Sequence, residues 1–327
     1  MPDKNKSPRP KFTRAENPPP LRIQSRDVEL MQTIHDYDGV LARRQIKQLF
    51  WPDKSAQAME ARLSKLYHNA YLDWPDEHQR RIRPIPEPLV WLGWRGALTI
   101  SGNNGDGIEY PTSENENQMR TLQVRLRKHG MRWLREPNWN QVRHDLVVID
   151  FRIAVEQSLK KNSQLSLERW IPESVFRANT DRIKFSVKGN NGKTYQRTKG
   201  VVPDGFFTIA DTKRKANGQP HRARFLLEVD MATHDNPSFG IEKAAAGAAY
   251  IQSRAYRDRF GVNAGRWLVV TTGETRMQNL MRQTKQKASM NAKLFYFTTR
   301  DSLQNRDPLT HPIWWQVDKE QPQSLPI

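Results

Sequence analysis

Apolar residues repeat at the helical period of three to four residues through the first hundred positions, in short stretches separated by turn-forming residues. The stretches predict three helices, at 25–37, 43–50 and 55–69, and two strands, at 71–74 and 89–92. Ser25 is a suitable N-cap for the first helix, because Asp27 and Glu29 follow in its first turn. A polar, basic segment, 78–83, separates the two strands. Three short helices followed by a basic β-hairpin predict an N-terminal winged helix-turn-helix.

The second half of the chain alternates between helical and strand-like apolar patterns. A strong helical period predicts a helix over 142–160, and later helices are predicted at 239–257 and 274–287. Short aromatic and aliphatic runs predict strands at 170–176, 183–187, 201–209, 223–229, 267–271 and 294–298. Ser238 or Asn236 can cap the helix that starts near residue 239. The pattern indicates a C-terminal α/β domain with a mixed sheet, so the whole chain belongs to the α+β or α/β class.

Shifts in composition divide the chain into five parts. A Pro-rich, basic segment at 1–24 has too few apolar residues for a core and is predicted to be a disordered arm. The winged helix-turn-helix covers 25–100, a linker with one basic helix covers 101–140, the C-terminal α/β domain covers 141–310, and a tail covers 311–327.

The charge balance indicates a class of binding partner. The chain has 53 Lys and Arg against 35 Asp and Glu, a net charge of +18 and a pI near 10.2. Such an excess favours a polyanion, because each neutralised phosphate releases counterions, but charge alone does not choose among DNA, RNA and acidic membranes. The absence of cysteine excludes disulfides and thiolate metal sites. No apolar run has the length of a membrane span and the N-terminus has no secretory apolar region, so we expect a cytoplasmic protein.

Three acids stand at the ends of two adjacent predicted strands. Asp204 precedes one apolar run, and Glu228 and Asp230 close the next run along the chain. Polar turn-formers separate the runs, which predicts a hairpin that brings Asp204 alongside the other two. Carboxylates that share one edge repel each other unless a hard cation lies between them, and Mg²⁺ takes such oxygen ligands. The alternative is that these are solvated acids at ordinary turns.

The order of elements around Asp204 and Glu228 resembles the PD-(D/E)xK nuclease fold. That resemblance implies metal-dependent hydrolysis of a phosphodiester, with Asp204, Glu228 and Asp230 as ligands of Mg²⁺. The lysine of the motif is replaced here by Asp230, which reverses a charge beside the scissile phosphate. Some members of the superfamily carry that lysine on the following helix, where Lys243 shares a face with Gly247 and Tyr250. Lys243 is thus the predicted catalytic cation, and Gly247 is predicted to allow close approach of the sheet or the substrate.

The predicted DNA surface lies in the winged helix-turn-helix. The helix at 55–69 is the expected recognition helix, and the basic segment between the strands is expected to contact phosphates as a wing. The predicted DNA-binding residues are Arg43, Arg44, Lys54, Gln57, Arg62, Lys65, Arg80, Arg81 and Arg83. The alternative is a structural winged helix that binds protein.

Taken whole, the chain resembles the replication-relaxation family of plasmids and integrated mobile elements. The resemblance rests on the order of short motifs, each weak alone: Pro20-Leu21-Arg22-Ile23 with Asp27, Leu41–Ile46, Leu49-Phe50, Ala61-Arg62-Leu63, Leu66-Tyr67, Asn69-Ala70-Tyr71-Leu72 with alanine where the family has glycine, His144 with Asp150, Pro203-Asp204-Gly205, Glu228-Val229-Asp230, and Lys243 with Tyr250.

This resemblance implies a DNA-binding protein of plasmid or mobile-element replication, relaxation or mobilisation. Double-stranded DNA is the expected partner, together with other replication or mobilisation proteins of the element, and no membrane. Accessory roles are implied for His144, Asp150 and Tyr250, although a histidine on an apolar helix flank is more often a core residue. An active Mg²⁺-dependent endonuclease and an RNA- or protein-binding adaptor stay open as alternatives. A homodimer also stays open, because winged helices often pair on half-sites while no heptad repeat is visible.

Overall fold

The computed structural model describes residues 10–102, 111, 113–188, 192–216, 218–233, 235–304 and 306–327. The chain divides into two compact units, Met1–Ile149 and Asp150–Ile327. Part of the predicted arm (1–9) and part of the predicted linker (103–110 and 112) lie outside the described residues. Within the described ranges, no helix is long and apolar enough to cross a membrane.

Unit 1 combines helices with one small antiparallel sheet, whose strand order is β1-β3-β2. Its elements are α1 (Ser25–Asp36), β1 (Val40–Ala42), α2 (Arg43–Phe50), α3 (Ala56–His68), β2 (Leu72–Asp73), α4 (Glu77–Ile82), β3 (Leu89–Leu92), α5 (Trp94–Ile100), α6 (Glu116–Lys128) and the start of α7 (Val142–Lys161). The first three helices and the strand β3 agree closely with the sequence-based prediction.

The N-cap of the first helix is Gln24, one residue before the predicted cap Ser25. The backbone N–H of Gln24 donates to the carboxylate of Asp27 at 2.8 Å. The same carboxylate accepts from Arg62, which lies on α3. Asp27 is only 1% exposed, so an acid predicted to lie in the first turn of α1 also joins α1 to α3.

The segment between β2 and β3 is a short helix, α4, where the sequence predicted the loop of a basic wing. Asp76 accepts from the backbone N–H of Gln79, and the Gln79 side chain accepts in return from the backbone N–H of Asp76. This reciprocal capping starts a helix at Glu77 despite the polar composition. The arginines of the segment therefore lie on or next to a helical turn.

Residues 10–24 are not a disordered arm, because they pack along unit 1. The indole of Trp74 donates to the Lys11 carbonyl at 3.1 Å, and the Asn69 amide donates to the Pro19 carbonyl at 2.9 Å. Between them, the Arg14 guanidinium lies 4.8 Å from the centre of the Tyr67 ring. Such specific contacts of the Pro-rich segment could not be foreseen from its composition.

The predicted linker also belongs to unit 1 where it is described. Trp133 donates its indole N–H to the Leu92 carbonyl at 2.9 Å, and Trp91 donates to the Arg135 carbonyl at 2.8 Å. Both Leu92 and Trp91 lie on β3. The segment after α6 therefore covers the small sheet, and the boundary between the two units falls within α7.

Unit 2 is built on a mixed five-stranded sheet of order β10-β9-β8-β7-β4. Its elements after α7 are β4 (Leu165–Pro172), α8 (Glu173–Ala178), β5 (Asp181–Lys188), β6 (Thr194–Val201), β7 (Gly205–Ala216), β8 (Gln219–Asp230), α9 (Asn236–Phe239), a π-helical turn (Gly240–Ala245), α10 (Ala246–Gln252), α11 (Arg254–Phe260), β9 (Arg266–Thr271), α12 (Glu274–Ala288), a 3₁₀ helix (Ser289–Leu294), β10 (Phe295–Thr299) and α13 (Arg300–Leu303).

Two predicted elements of unit 2 were wrong in detail, and one strand was not predicted. The predicted strand 170–176 ends at Pro172, which serves as the N-cap of α8. The predicted long helix 239–257 is broken, because Ser253 has extended backbone and caps α11. The strand β6 was missed, since its residues 194–198 are polar and exposed.

The predicted C-terminal tail is part of unit 2. Trp315 pairs with Phe297 of β10 through backbone bonds in both directions at 2.8 Å, and Trp314 is fully buried.

The sheet positions the site at one end of its central strand. β7 and β8 form the predicted hairpin, while β8 runs parallel to β9, and β9 to β10. Glu228 and Asp230 therefore lie at the carboxyl end of β8, which is parallel to β9, at the edge where open α/β sheets commonly bind ligands.

Candidate functional site: Asp204, Glu228 and Lys243

The first pair of the candidate site is set by the β7–β8 hairpin. Gly205 pairs with Leu227, so Asp204 lies one position further along, opposite Glu228. The backbone N–H of Asp204 donates to the Leu227 carbonyl at 2.9 Å, and its carboxylate accepts from the Val229 N–H at 2.6 Å. Asp204 and Glu228 are 6% and 7% exposed. The hairpin thus holds two buried carboxylates side by side, as the strand pattern predicted.

Lys243 joins Asp204 and Glu228, and it lies on a helical turn and not on the sheet. Its Nζ lies 2.7 Å from Oε1 and 2.8 Å from Oε2 of Glu228. Lys243 belongs to the π-helical turn that joins α9 to α10. A π-helical turn adds one residue to the helical repeat and is frequent at functional sites. The structure therefore brings Asp204, Glu228 and Lys243 together, although they are widely separated in sequence.

The carboxylates determine the protonation state of Lys243. Burial works to lower the pKa of its ammonium group, but the negative charges of Glu228 and Asp204 outweigh that effect and raise the pKa above its ordinary value. Lys243 is therefore a permanent cation at neutral pH. It can orient a water molecule or stabilise developing negative charge, but it cannot serve as a general base.

Asp230 does not join this cluster. Its carboxylate accepts from Arg276 through both oxygens at 2.8 Å, and one of these oxygens also accepts from Thr271 at 2.8 Å. Among the described residues, no group of three or more Asp, Glu, His or Cys side chains is placed to hold a metal ion. The expectation that Asp204, Glu228 and Asp230 surround one ion is therefore not met, because Asp230 binds Arg276 and Thr271 and takes no part in the contact between Glu228 and Lys243.

The remaining two acids, Asp204 and Glu228, are of the ligand type that Mg²⁺ prefers. This ion is commonly held by one or two carboxylates, with water and substrate phosphate in its other positions. Asp204 and Glu228 supply two adjacent carboxylates, and Glu228 borders a pocket of about 190 Å³ that leaves room for such ligands. The donor set therefore fits a two-carboxylate site rather than the predicted three-carboxylate site.

Two acids of the pocket, Glu173 and Glu242, were not predicted from the sequence. The charged lining of the pocket consists of Glu173, Arg177, Lys199, Glu228, Glu242 and Lys243. Glu173 lies in the first turn of α8, where it accepts from Arg177 at 2.5 Å, and its charge contributes to the raised pKa of Lys243. Pro172 followed by an acid and then by a base four residues later is a helix-start pattern that could have revealed this pair.

Gly247 provides the close approach that the sequence predicted. A Cβ atom at this position would lie 2.8 Å from the indole nitrogen of Trp267, which stands on β9. Both residues line the pocket. The indole nitrogen of Trp267 has no hydrogen-bond partner within the described part of the chain. A helix with any side chain at position 247 could not lie this close to the sheet.

We expect Gly247→Ala to destabilise the protein by about 1–3 kcal/mol, because the added methyl group overpacks the contact with Trp267. Gly273→Ala is the matched control, since no atom lies within 4 Å of a Cβ at Gly273. Urea unfolding followed by tryptophan fluorescence measures both variants. Equal stability of the two would show that α10 can move away from the sheet without cost.

The predicted accessory residues lie elsewhere. Tyr250 is fully buried and donates to Asp181 at 2.5 Å, an acid that also holds Arg259. Burial and Asp181 both raise the pKa of Tyr250 well above its usual range, so this phenol stays neutral. His144 is half-buried in unit 1 beside Asp145 at 3.4 Å, and Asp150 is half-buried in unit 2. None of Tyr250, His144 and Asp150 lines the pocket.

The predicted DNA-binding residues of unit 1 fall into two groups. Arg43 and Arg62 are held within the unit, Arg43 by Glu60 at 2.5 Å and Arg62 by the buried Asp27. Burial lowers the pKa of Arg43 despite Glu60. Arg44 is exposed and forms a surface ion pair with Glu87 at 2.9 Å. The other exposed members are Lys54, Gln57, Lys65, Arg80, Arg81 and Arg83.

Comparison with known proteins places this architecture in a family. A search of curated proteins finds no match. The profile described as replication-relaxation matches residues 33–265, which span most of unit 1 and the strands and helix that carry Asp204, Glu228 and Lys243. The chain therefore belongs to the replication-relaxation family.

Proposed function

We propose that this protein is a DNA-binding factor of plasmid or mobile-element replication or mobilisation, and that unit 1 is a winged helix that docks on duplex DNA. The observation that carries the proposal is the order of elements in unit 1. Three helices interleave with a short strand and precede a β-hairpin, and the three strands form one antiparallel sheet of order β1-β3-β2. Family membership supports the replication context.

The surface of α3 suits the role of a recognition helix. Met59, Leu63 and Leu66 are buried on one side of the helix. The residues exposed on and just before the helix are Lys54, Ser55, Ala56, Gln57, Ala58, Ala61 and Lys65. The short alanine side chains allow the helix backbone to come close to base edges, and Gln57 can pair with adenine in the major groove. Lys54 and Lys65, at the two ends of this surface, can pair with phosphates.

The segment around α4 supplies further phosphate contacts. Arg80, Arg81 and Arg83 are exposed, and Arg81 forms a surface ion pair with Glu77. Exposed pairs of this kind contribute about 0–1 kcal/mol, so Arg81 can exchange Glu77 for a phosphate at little cost. A helical wing of this kind takes the place of the predicted basic loop.

We expect the double variant Lys54→Ala/Lys65→Ala to weaken duplex binding and to lower the slope of log K against log salt concentration by about 2, since each lost phosphate contact removes about 0.9. The control Arg127→Ala/Lys128→Ala removes the same charge from exposed positions of α6. Fluorescence anisotropy with a labelled duplex measures both. Equal slopes for the two doubles would reject α3 as the docking surface.

The adaptor alternative makes a different prediction for the segment around α4. Duplex binding that is weak and unchanged when Arg80, Arg81 and Arg83 are replaced by alanine would favour an RNA- or protein-binding adaptor.

The cluster of Asp204, Glu228 and Lys243 favours a second candidate function, Mg²⁺-dependent hydrolysis of DNA phosphodiesters by a PD-(D/E)xK-like unit 2. Asp204 and Glu228 would hold the ion, which when bound polarises a phosphate and lowers the pKa of a coordinated water molecule. Lys243, kept cationic by Glu228 and Asp204, orients the attacking water or balances charge on the phosphate. Asp230 takes no direct part, since its carboxylate is held by Arg276 and Thr271 and is not among the charges that raise the pKa of Lys243.

A further inference from the structure

A two-stranded ribbon, β5 with β6, stands beside the pocket of unit 2 and has two chemically different faces. Residues paired across the ribbon point to the same side. One face combines Ile183, Phe185 and Val187 of β5 with their partners Lys199, Arg197 and Tyr195 of β6. The opposite face carries Arg182, Lys184 and Ser186, paired with Gly200, Thr198 and Gln196.

On the first of these faces, the side chains of β5 are buried, whereas those of β6 are partly or fully exposed. Ile183, Phe185 and Val187 are 4–6% exposed and belong to the core of unit 2. Along β6, by contrast, exposure rises away from the pocket: Lys199 is half-buried, Arg197 is exposed, and Tyr195 is 47% exposed. Tyr195, Arg197 and Lys199 therefore form an open row, which we call the β6 row.

The β6 row begins at the pocket. Lys199 lines the pocket together with Glu228 and Lys243, and it forms an ion pair with Glu242 of the π-helical turn. Arg197 and then Tyr195 continue from Lys199 along the same face. A ligand bound in the pocket can thus extend along β6 without leaving a continuous surface.

The chemistry of the row matches a single nucleic-acid strand. Alternate residues of a β-strand lie about 7 Å apart, at a rise of about 3.3–3.4 Å per residue, which is comparable to the spacing of successive phosphates in an extended strand. Lys199 and Arg197 provide charge for two phosphates, and the ring of Tyr195 provides a stacking platform for an unpaired base. Basic grooves with aromatic platforms are the usual means of binding single strands. A duplex offers no unstacked base to Tyr195.

We propose that the β6 row binds single-stranded DNA that continues from a phosphate held in the pocket, so that unit 2 has a DNA contact of its own. The row extends the second candidate function, and it rests on that function only for the position of the phosphate. Binding along the row requires no hydrolysis. It can therefore be tested when the metal is removed.

The test uses the full-length protein in EDTA and a fluorescent oligothymidylate of about 12 nucleotides, within the usual site size. We expect Tyr195→Ala and Arg197→Ala each to raise Kd by about 5-fold or more, as loss of a stacking or phosphate contact does. Arg197→Ala should also lower the salt slope by about 0.7, the value for one phosphate of a single strand. Tyr195→Phe keeps the ring and should bind like wild type.

The matched control is Lys184→Ala, which removes one positive charge from the opposite face of the same ribbon. It should leave Kd unchanged. Equal losses for Lys184→Ala and Arg197→Ala, or no loss for Arg197→Ala, would overturn the proposal. Polyglutamate that displaces the oligonucleotide as well as unlabelled oligothymidylate does would also overturn it, in favour of an acidic polypeptide.

Failure of the β6 row is distinguishable from failure of the functions proposed above. Duplex binding depends on Lys54 and Lys65 of unit 1, whereas single-strand binding is predicted to depend on Tyr195 and Arg197. We expect the Lys54→Ala/Lys65→Ala protein to retain the effect of Arg197→Ala on oligothymidylate. Loss of that effect in the unit 1 variant would mean that the single strand binds at α3 and not at β6.

Discussion

Replacing Asp204 by asparagine is expected to reduce Mg²⁺-dependent nicking of supercoiled plasmid by about 100-fold or more, the usual cost of removing one group that organises the transition-state charge. Asparagine keeps an oxygen that can accept the Val229 N–H, so the hairpin should stay folded. Glu168→Gln is the matched control, because it neutralises another carboxylate of unit 2, which pairs with Arg222 and not with the cluster of Glu228 and Lys243. The measurement is the rate of conversion of supercoiled to open-circular plasmid in Mg²⁺ and in EDTA.

Lys243→Met should give a loss of similar size for a different reason. The change removes the cation that faces Glu228 while it keeps most of the side-chain volume. Wild-type protein that binds plasmid without nicking it in Mg²⁺ or Mn²⁺ would reject the second candidate function. Equal rates for wild type and Asp204→Asn would reject it as well, because the nicking would then come from another source. Either result leaves the duplex-binding function of unit 1 standing.

Arg276→Met is expected to destabilise unit 2 by about 3–5 kcal/mol, because it leaves the Asp230 carboxylate buried without its counter-ion. Asp230 is 6% exposed, and Arg276 supplies hydrogen bonds to both of its oxygens at 2.8 Å. After the substitution, Thr271 would be the remaining side-chain donor of the contacts described for Asp230. Urea unfolding and the midpoint of thermal unfolding measure the loss.

A second substitution tests the cause of that loss. Asp230→Asn removes the buried charge, so the double variant Asp230→Asn/Arg276→Met should recover a large part of the stability lost in Arg276→Met. Losses that simply add in the double variant would show that Arg276 acts through packing or through its bond to Asn236, and not through the charge of Asp230. The same cycle in the plasmid assay separates stability from catalysis, since neither residue touches the pocket.

The candidate site could be predicted in part because β-strands impose a strict alternation. Two short apolar runs separated by turn-formers predicted the hairpin, and the register of that hairpin places Asp204 opposite Glu228. The helical spacing of Lys243, Gly247 and Tyr250 predicted one shared face; Lys243 and Gly247 line the pocket, whereas Tyr250 binds Asp181. These inferences needed only the local geometry of a strand pair and of a helix.

The same reasoning failed where a charged residue finds a distant partner. Arg62 was assigned to DNA but binds the buried Asp27, which lies 35 positions away. Asp230 was assigned to the metal but binds Arg276, which lies 46 positions away. A charge pattern indicates that a side chain can form an ion pair, but several partners compete for it. Only the folded chain determines which of them lies within reach.

The prediction was also wrong for α4, where helix capping had a larger effect than the loop-like composition of the segment. The reciprocal bonds of Asp76 and Gln79 start α4 inside a segment whose basic, polar residues are typical of a loop. In unit 2, the exposed polar residues of β6 gave no apolar alternation to detect, because only its partner β5 contributes to the core. For this reason, the sequence pattern did not indicate the β6 row.

The amino-acid sequence was enough to determine the family, the three N-terminal helices and the hairpin of Asp204 and Glu228, since each follows from short-range periodicity or from the order of motifs. The tertiary structure decided which of the predicted site residues meet: Lys243 contacts Glu228, whereas Asp230 binds Arg276. It also decided which arginines stay exposed to a ligand. The physical reason is that backbone periodicity is a local property, whereas the partner of a charge depends on contacts between segments far apart in the chain.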